Sequence, residues 1–342
     1  MGKTTKILDD VRRQLAPTEV ILAEARTRRA KVLDAAKARG GVRDKYYSGS
    51  IAHGTANSDL DADCGVVLDR RSYPNLGPDG DGEGSKEIVS EYRDFVAEKL
   101  RGDDDRVDVR VTKRRAIRVR FNMPVDGFDP SVDLVVALER RDESGVWIPN
   151  LLDDAWDPAD PAEHTRLFGS GSRKLVRARA RAVRLAKGWN QQYVRPGLSS
   201  FNIEALAWEC VDESMSESDA LDEIFAYGAK ELAGQDTEDP AGVSGPIRPL
   251  IDRDDVVTRL QSAAGLMHRA LDADGVDEQE AQDALSELFW KYVEPPAGSS
   301  NKSAVAARLR TGEGVRVGAT GLTLGSGTEL KRTRSYGDAE TR

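Results

Sequence analysis

The sequence predicts an α+β protein of two lobes. The N-terminal lobe carries a mixed sheet with helices, and the C-terminal lobe is helical and closes a cleft against it. Three observations predict this. Strand-like runs are confined to residues 64–138. Helical spacing of apolar residues dominates from 172 to 292. Between them, residues 153–161 (DDAWDPADP) follow neither period.

The elements follow in order. Residues 6–38 keep helical spacing through Ile7, Val11 and Leu15, then Ile21, Ala25 and Val32. Pro17 splits this run into two helices or kinks one, and Gly40-Gly41 ends it. Tyr46-Tyr47 lead into residues 49–71, GSIAHGTANSDLDADCGVVLDRR, read as a turn, a short helix and a strand at 64–68. Residues 74–85 (PNLGPDGDGEGS) form a loop by composition, and a helix carrying Ile88, Tyr92, Phe95 and Val96 follows. Residues 107–112 and 116–121 alternate as strands, and 132–138 (VDLVVAL) is the most apolar strand candidate. Residues 172–190, 199–213, 217–233, 253–273 and 277–292 are predicted helices, with 236–249 a loop among them. Residues 297–342, rich in Gly, Ser and Arg, are predicted to be a flexible tail with a short helix near 304–309. The expected domains are therefore 1–170, the α/β lobe with its long N-terminal helix, 171–296, the helical lobe, and 297–342, the tail.

Composition sets the outer limits. The 342 residues include 50 Lys and Arg against 59 Asp and Glu, a net charge of −9. A chain of this length buries about three quarters of its unfolded surface and needs no staples. No run approaches the roughly 20 apolar residues of a membrane span, and the N-terminus lacks the apolar stretch of a secretion signal. Two cysteines, Cys64 and Cys210, make no disulfide framework. The expectation is a cytoplasmic protein without a membrane partner. The acidic balance argues against nucleic acid as a partner.

The chemistry concentrates between Gly49 and Leu68. A Gly49-Ser50 pair precedes Asp61-Ala62-Asp63 by ten residues, and the apolar run 64–68 follows at once. In a strand, Asp61 and Asp63 point to one face, while Ala62, Cys64 and Val66 point to the other. Two carboxylates so placed repel each other unless a cation lies between them. Hard oxygen donors suit Mg²⁺, with Mn²⁺ as an alternative. Gly65 leaves room on the acidic face. A third carboxylate is needed for a second metal, and Asp133, set in an apolar strand, is the first choice ahead of Asp108 and Asp129. Two metals roughly 3.5–4 Å apart stabilise the attacking and leaving oxygens of nucleotidyl transfer. Gly49 permits close backbone approach, and Ser50 offers a hydroxyl and an N–H to phosphate oxygens. A second register, Asp59 with Asp61, stays open beside the favoured Asp61 with Asp63. Asp59 would share their face in a strand.

These residues resemble the signature of the DNA polymerase β-type nucleotidyltransferase superfamily: a G-S turn, a D-h-D strand and a distant third carboxylate. Downstream, RLAKGWNQQY (184–193) and LSSFNIEAL (198–206) resemble the helical lobe of the cGAS/DncV-like nucleotidyltransferases, the CD-NTases. The resemblance covers about residues 6–294. It implies a polymerase β-like catalytic lobe, with Lys187 and Ser200 (Ser199 as the alternate) holding a triphosphate. It further implies that nucleoside triphosphates are joined into a cyclic di- or trinucleotide second messenger with pyrophosphate release. In bacteria such enzymes serve CBASS-type anti-phage signalling and act with separate effector or regulatory proteins. Lys187 also stands out by itself, in line with apolar Val183, Ala180 and Val176 on one helix stripe. Seven basic and no acidic residues between Arg173 and Lys187 suggest an anion-attracting wall. His53, His164 and His268 have no metal-ligand spacing and read as structural, and Trp189 reads as core. Two other readings compete: a nucleotidyltransferase with a different acceptor (a tRNA end, a protein or a small molecule), and an inert nucleotide-binding module.

Overall fold

A computed structural model describes residues 2–342 except 59, 79, 81–83, 103–104, 142, 298, 300–314, 319–320, 325–327 and 330–342. The chain divides into two compact units. One comprises residues 8–264, and the other joins the residues before 8 to those from 265 on.

The elements run α1 (Lys3–Leu15), α2 (Glu19–Lys37), β1 (Val42–Tyr47), α3 (Gly49–His53), β2 (Asp61–Leu68), α4 (Ser85–Arg101), β3 (Asp108–Val111), β4 (Ala116–Arg120), β5 (Ser131–Glu139), β6 (Val146–Asn150) and β7 (Ala155–Ala159). Then follow α5 (Pro161–Phe168), α6 (Arg173–Gln191), α7 (Ser200–Cys210), α8 (Glu217–Gly234), α9 (Arg253–Ala273), α10 (Glu278–Leu288), β8 (Val315–Gly318), β9 (Gly321–Leu324) and β10 (Thr328–Glu329). Pro17 separates α1 from α2, and Thr18 caps α2 by accepting from the Ile21 N–H at 3.2 Å.

The main sheet has the order β1-β2-β5-β4-β3, with β6 paired to β5 and β7 to β6. β2 and β5 are parallel, and the other pairs are antiparallel. Period-2 alternation gives β2 two distinct faces. Ala62, Cys64, Val66 and Leu68 are fully buried against α2 and α4, together with Leu134 and Val136 of β5. Asp61, Asp63 and Gly65 therefore face the other way.

Arg28 of α2 fixes the entry to β5. Its buried guanidinium donates to Asp129 (2.5 Å) and to the Pro130 carbonyl (2.8 Å), and also reaches Glu24 (2.7 Å). Asp129 thus serves the turn before β5, and Asp108 pairs with Arg110. The structure gives neither of these alternates the place of the third carboxylate.

β1, β6 and β7 are absent from the sequence reading. β1 (VRDKYY) has no buried residue, and β6 and β7 carry Pro149 and Pro158. Proline inside a run argues against a central strand, and here it sits in a ribbon hung from one strand of the sheet.

In the same unit α6 packs on α8, with Trp189 and Phe225 rings 4.9 Å apart. In the other unit Thr4 donates to Asp274 and to the Ala270 carbonyl, each at 2.9 Å. Asp277 caps α10. β10-β8-β9 form a small antiparallel sheet within the stretch that the sequence predicts to be a flexible tail. The short helix expected near 304–309 lies outside the described residues.

Candidate active site

The parallel register of β2 and β5 sets Asp63 beside Asp133 and Asp61 beside Ser131. All four side chains occupy the face opposite the core. Ser131 donates its hydroxyl to Asp61. Arg118 of β4 lies across from Asp133 and grips it with both forks, Nε to Oδ1 and Nη2 to Oδ2, each at 2.8 Å. The same Nη2 reaches Asp61 Oδ2 at 3.4 Å. Asp63 has no cation in contact among the described residues. Burial, then the charges of Asp133, Asp61 and Glu204, push its carboxyl up to about 7. Asp59 of the alternative register lies outside the described residues.

Gly49 stands where β1 gives way to α3. Its φ is +70°, in the left-handed region that favours glycine. A Cβ there would also run into the Asp63 carboxylate. Close approach is thus needed first by the protein's own acid. The Ser48 N–H donates to the Asp63 carbonyl at 3.3 Å, which ties the turn to the strand. Ser50 follows inside α3 and lines the same cleft as Asp61 and Asp63.

Lys187 and Ser200 reach that cleft from α6 and α7. Ser199 is the N-cap of α7, accepting from Asn202 N–H at 3.1 Å, and Ser200 is its exposed first residue. Lys187 differs from the expectation in one respect. Its buried ammonium is 2.6 Å from Glu204 Oε1 and donates to Thr55 Oγ1 at 3.0 Å. Glu204 also meets His53 Nδ1 at 2.7 Å, and His53 Nε2 lies 3.3 Å from Thr165 Oγ1. Burial raises the Glu204 carboxyl, but Lys187 and His53 overcome this and hold it below its ordinary value. The pair's stabilisation is therefore present above the ordinary carboxylate range and is lost as pH falls below it. Glu204→Gln should destabilise the fold by about 3 kcal/mol, because it strands a buried ammonium. Denaturant unfolding at pH 7 measures this.

The basic wall expected from Arg173 to Lys187 does not form. Arg179 turns inward to the Val211 carbonyl (2.7 Å), and Arg181 lies near Glu217. Arg173, Lys174 and Arg177 are exposed, and of the seven only Lys187 lines the cleft among the described residues. Among the described residues the cleft is also lined by Arg114 and Arg115, beside the β3–β4 turn, and by Arg248. The loop carrying Arg248 is pinned by Asp239, which accepts from Val243 N–H (3.1 Å) and Ser244 N–H (2.8 Å) and meets His164 Nε2 at 2.5 Å. The cleft measures about 1230 Å³, more than the roughly 300–1,000 Å³ of an ordinary small-molecule site.

The donor set fits a divalent cation. Three carboxylates share one face, and burial together with the neighbouring carboxylates makes Asp63 resist ionisation, a cost that a bound cation would offset. Among the described residues no group of three such side chains is placed to hold a metal ion, and both oxygens of Asp133 accept from Arg118.

Sequence reasoning missed Arg118, Glu204 and Ser131. Alternation in AIRVRF could have flagged Arg118, because it stands on the strand's other face from Ile117 and Val119.

No protein-family model and no curated protein matches the sequence. Solved structures do match its fold. Escherichia coli MS115-1 CdnC with ATP is 17% identical, with a TM-score of 0.62, over 85% of this chain and 98% of that one. The CD-NTase CdnG of Bradyrhizobium diazoefficiens, in complex with GTP, is 15% identical, with a TM-score of 0.62, over 84% and 95%. Vibrio cholerae DncV, a cyclic AMP-GMP synthase, is 16% identical, with a TM-score of 0.55, over 85% and 87%. The likeness is one of fold: a mixed sheet with helices, as in the CD-NTases.

Proposed function

We propose that the chain is a metal-dependent nucleotidyltransferase that joins nucleoside triphosphates into a cyclic di- or trinucleotide with release of pyrophosphate. The observation that carries this reading is the sheet face shared by Asp61, Asp63 and Asp133, of which Asp61 and Asp63 line a cleft together with Gly49 and Ser50. In this reading residues 1–170 form the catalytic lobe and 171–296 the helical lobe that covers it.

Asp61, Asp63 and Asp133 hold Mg²⁺, or Mn²⁺ in its place. Bound there, the metal neutralises triphosphate charge and lowers the pKa of an attacking hydroxyl. Gly49 and Ser50 offer backbone and hydroxyl groups to the phosphates, and Ser200 offers a second hydroxyl. Lys187 supplies charge from the wall behind Thr55, shared with Glu204. Asp133 accepts the proton of the acceptor ribose hydroxyl. That oxygen bonds to the α-phosphorus as the bond to pyrophosphate breaks. A second round closes a dinucleotide ring, and a third closes a trinucleotide ring. DncV has been solved with the linear intermediate 5′ pppA(3′,5′)pG, which is consistent with two rounds in one site. A place in anti-phage signalling, with a separate effector and a regulatory partner, accords with the complex of CdnC with HORMA-deltaN.

Incubation with all four NTPs and Mg²⁺, followed by mass spectrometry, tests the proposal. Cyclic products without terminal phosphates are expected from NTPs alone. Pyrophosphate release only when a tRNA or another acceptor is added would move the reading to a different acceptor. Nucleotide binding without turnover would leave an inert module.

A further inference from the structure

Arg118 occupies a costly position. Across the sheet it stands in register with Arg110 on one side and Asp133 on the other. Like charges directly opposite in a sheet are destabilising. Arg110 escapes by turning to Asp108 at 2.8 Å. Arg118 is compensated only from the acidic side, and there it takes up much of the available valence. Both oxygens of Asp133 accept from its forks, and Asp61 Oδ2 lies near Nη2. The remaining Asp61 oxygen accepts from Ser131. A planar fork matched to a carboxylate is the strongest arrangement a side-chain cation can offer. The lone pairs it occupies are those a hard divalent ion would need.

We propose that Arg118 is the resident counter-cation of the three carboxylates, and that a divalent metal binds fully only as the guanidinium lets go of Asp133. This rests on the metal-binding reading given above. The arginine then serves two states. Without metal it neutralises an acidic face that would otherwise repel itself. With metal and triphosphate it is freed beside the cleft, and its charge has to be overcome by each entering ion. The metal requirement of the enzyme is therefore set by a positioning residue outside the carboxylate trio.

Mn²⁺ titration of the full chain without nucleotide, read by the paramagnetic resonance of free Mn²⁺, tests this. Asp63→Asn identifies the site as the variant that loses the binding. Arg118→Met keeps the stem and removes the charge, and should bind Mn²⁺ about tenfold more tightly than the parent, the scale of one close charge pair at partial exposure. Arg118→Lys keeps the charge and should stay within about threefold of the parent, since an ammonium still competes as a point charge. A residue that merely aims Asp133 would give the opposite pattern, with weaker binding in both variants. Should Arg118→Met not fold, Arg118→Gln carries the same expectation. Unchanged or weaker Mn²⁺ binding in the uncharged variants, with Asp63→Asn still abolishing it, overturns the competition and leaves the metal site standing. Absence of any binding sensitive to Asp63→Asn overturns both.

Discussion

A chain carrying Asp61→Ala and Asp63→Ala together is expected to lose at least about 10³-fold in product formation from NTPs, more than the loss of a single transition-state donor costs. Both side chains stand on the cleft face of β2, in line with Asp133 of β5. Removing them leaves no carboxylate pair to gather cation and triphosphate, so both the approach of the hydroxyl and the departure of pyrophosphate lose their charge stabilisation. The fold should survive. The packing face of β2 is carried by Ala62, Cys64, Val66 and Leu68, all untouched. Retained cooperative melting with lost turnover is the expected pair of results. Product formation within tenfold of the parent would reject the site.

The second large effect is on stability, and it has the opposite sign to the effect on activity. Asp63 ionises near pH 7 in the folded protein, against an ordinary value of 3.8. The unfolded chain loses this proton first, so ionisation of Asp63 progressively disfavours the fold as pH rises from about 4 to about 7, and the penalty stays constant above. Asp63→Asn removes it. The variant should be more stable than the parent by about 2 kcal/mol at pH 8, below the roughly 4 kcal/mol of the full shift because relaxation and water penetration lower the real cost of a buried charge. At pH 4 the gain should vanish. Millimolar Mg²⁺ should narrow the gap at pH 8 by stabilising the parent alone. Thermal melts at the two pH values, with and without Mg²⁺, measure all three. An equal gain at both pH values would assign the effect to packing rather than to charge. Evolution tolerates such an unfavourable acid where chemistry requires it.

The acidic site was legible because alternation and spacing encode it. A D-x-D on a strand has one geometry, and the apolar run behind it states which face is buried. Asp133 was legible for the same reason, as a charge inside an otherwise apolar strand. Gly49 was legible as a turn, but its cause was not, since the Asp63 carboxylate beneath it is a tertiary neighbour. Lys187 shows the limit of a stripe argument. The stripe marks Lys187 as out of place among apolar neighbours, but the resemblance assigned it to a triphosphate and not to an acid of the protein. Glu204, seventeen residues on and on another helix, is an ordinary acid until the fold brings it within 2.6 Å. Alternation in β4 could have put Arg118 on the face away from Ile117 and Val119, but its partner Asp133 is set by strand register, which the local pattern does not encode. The basic run of α6 misled because helical periodicity distributes seven cations around the whole axis, and one of them points into the core. β6 and β7 were hidden by their prolines, which a ribbon at the margin of the sheet tolerates.

Anomalous scattering from crystals grown with Mn²⁺ and a non-hydrolysable ATP analogue addresses the site most directly. A manganese peak in contact with both Asp61 and Asp63, with the triphosphate lying against Gly49 and Ser50, is the expected result. Triphosphate bound elsewhere in the cleft, with no manganese on either aspartate, would contradict it.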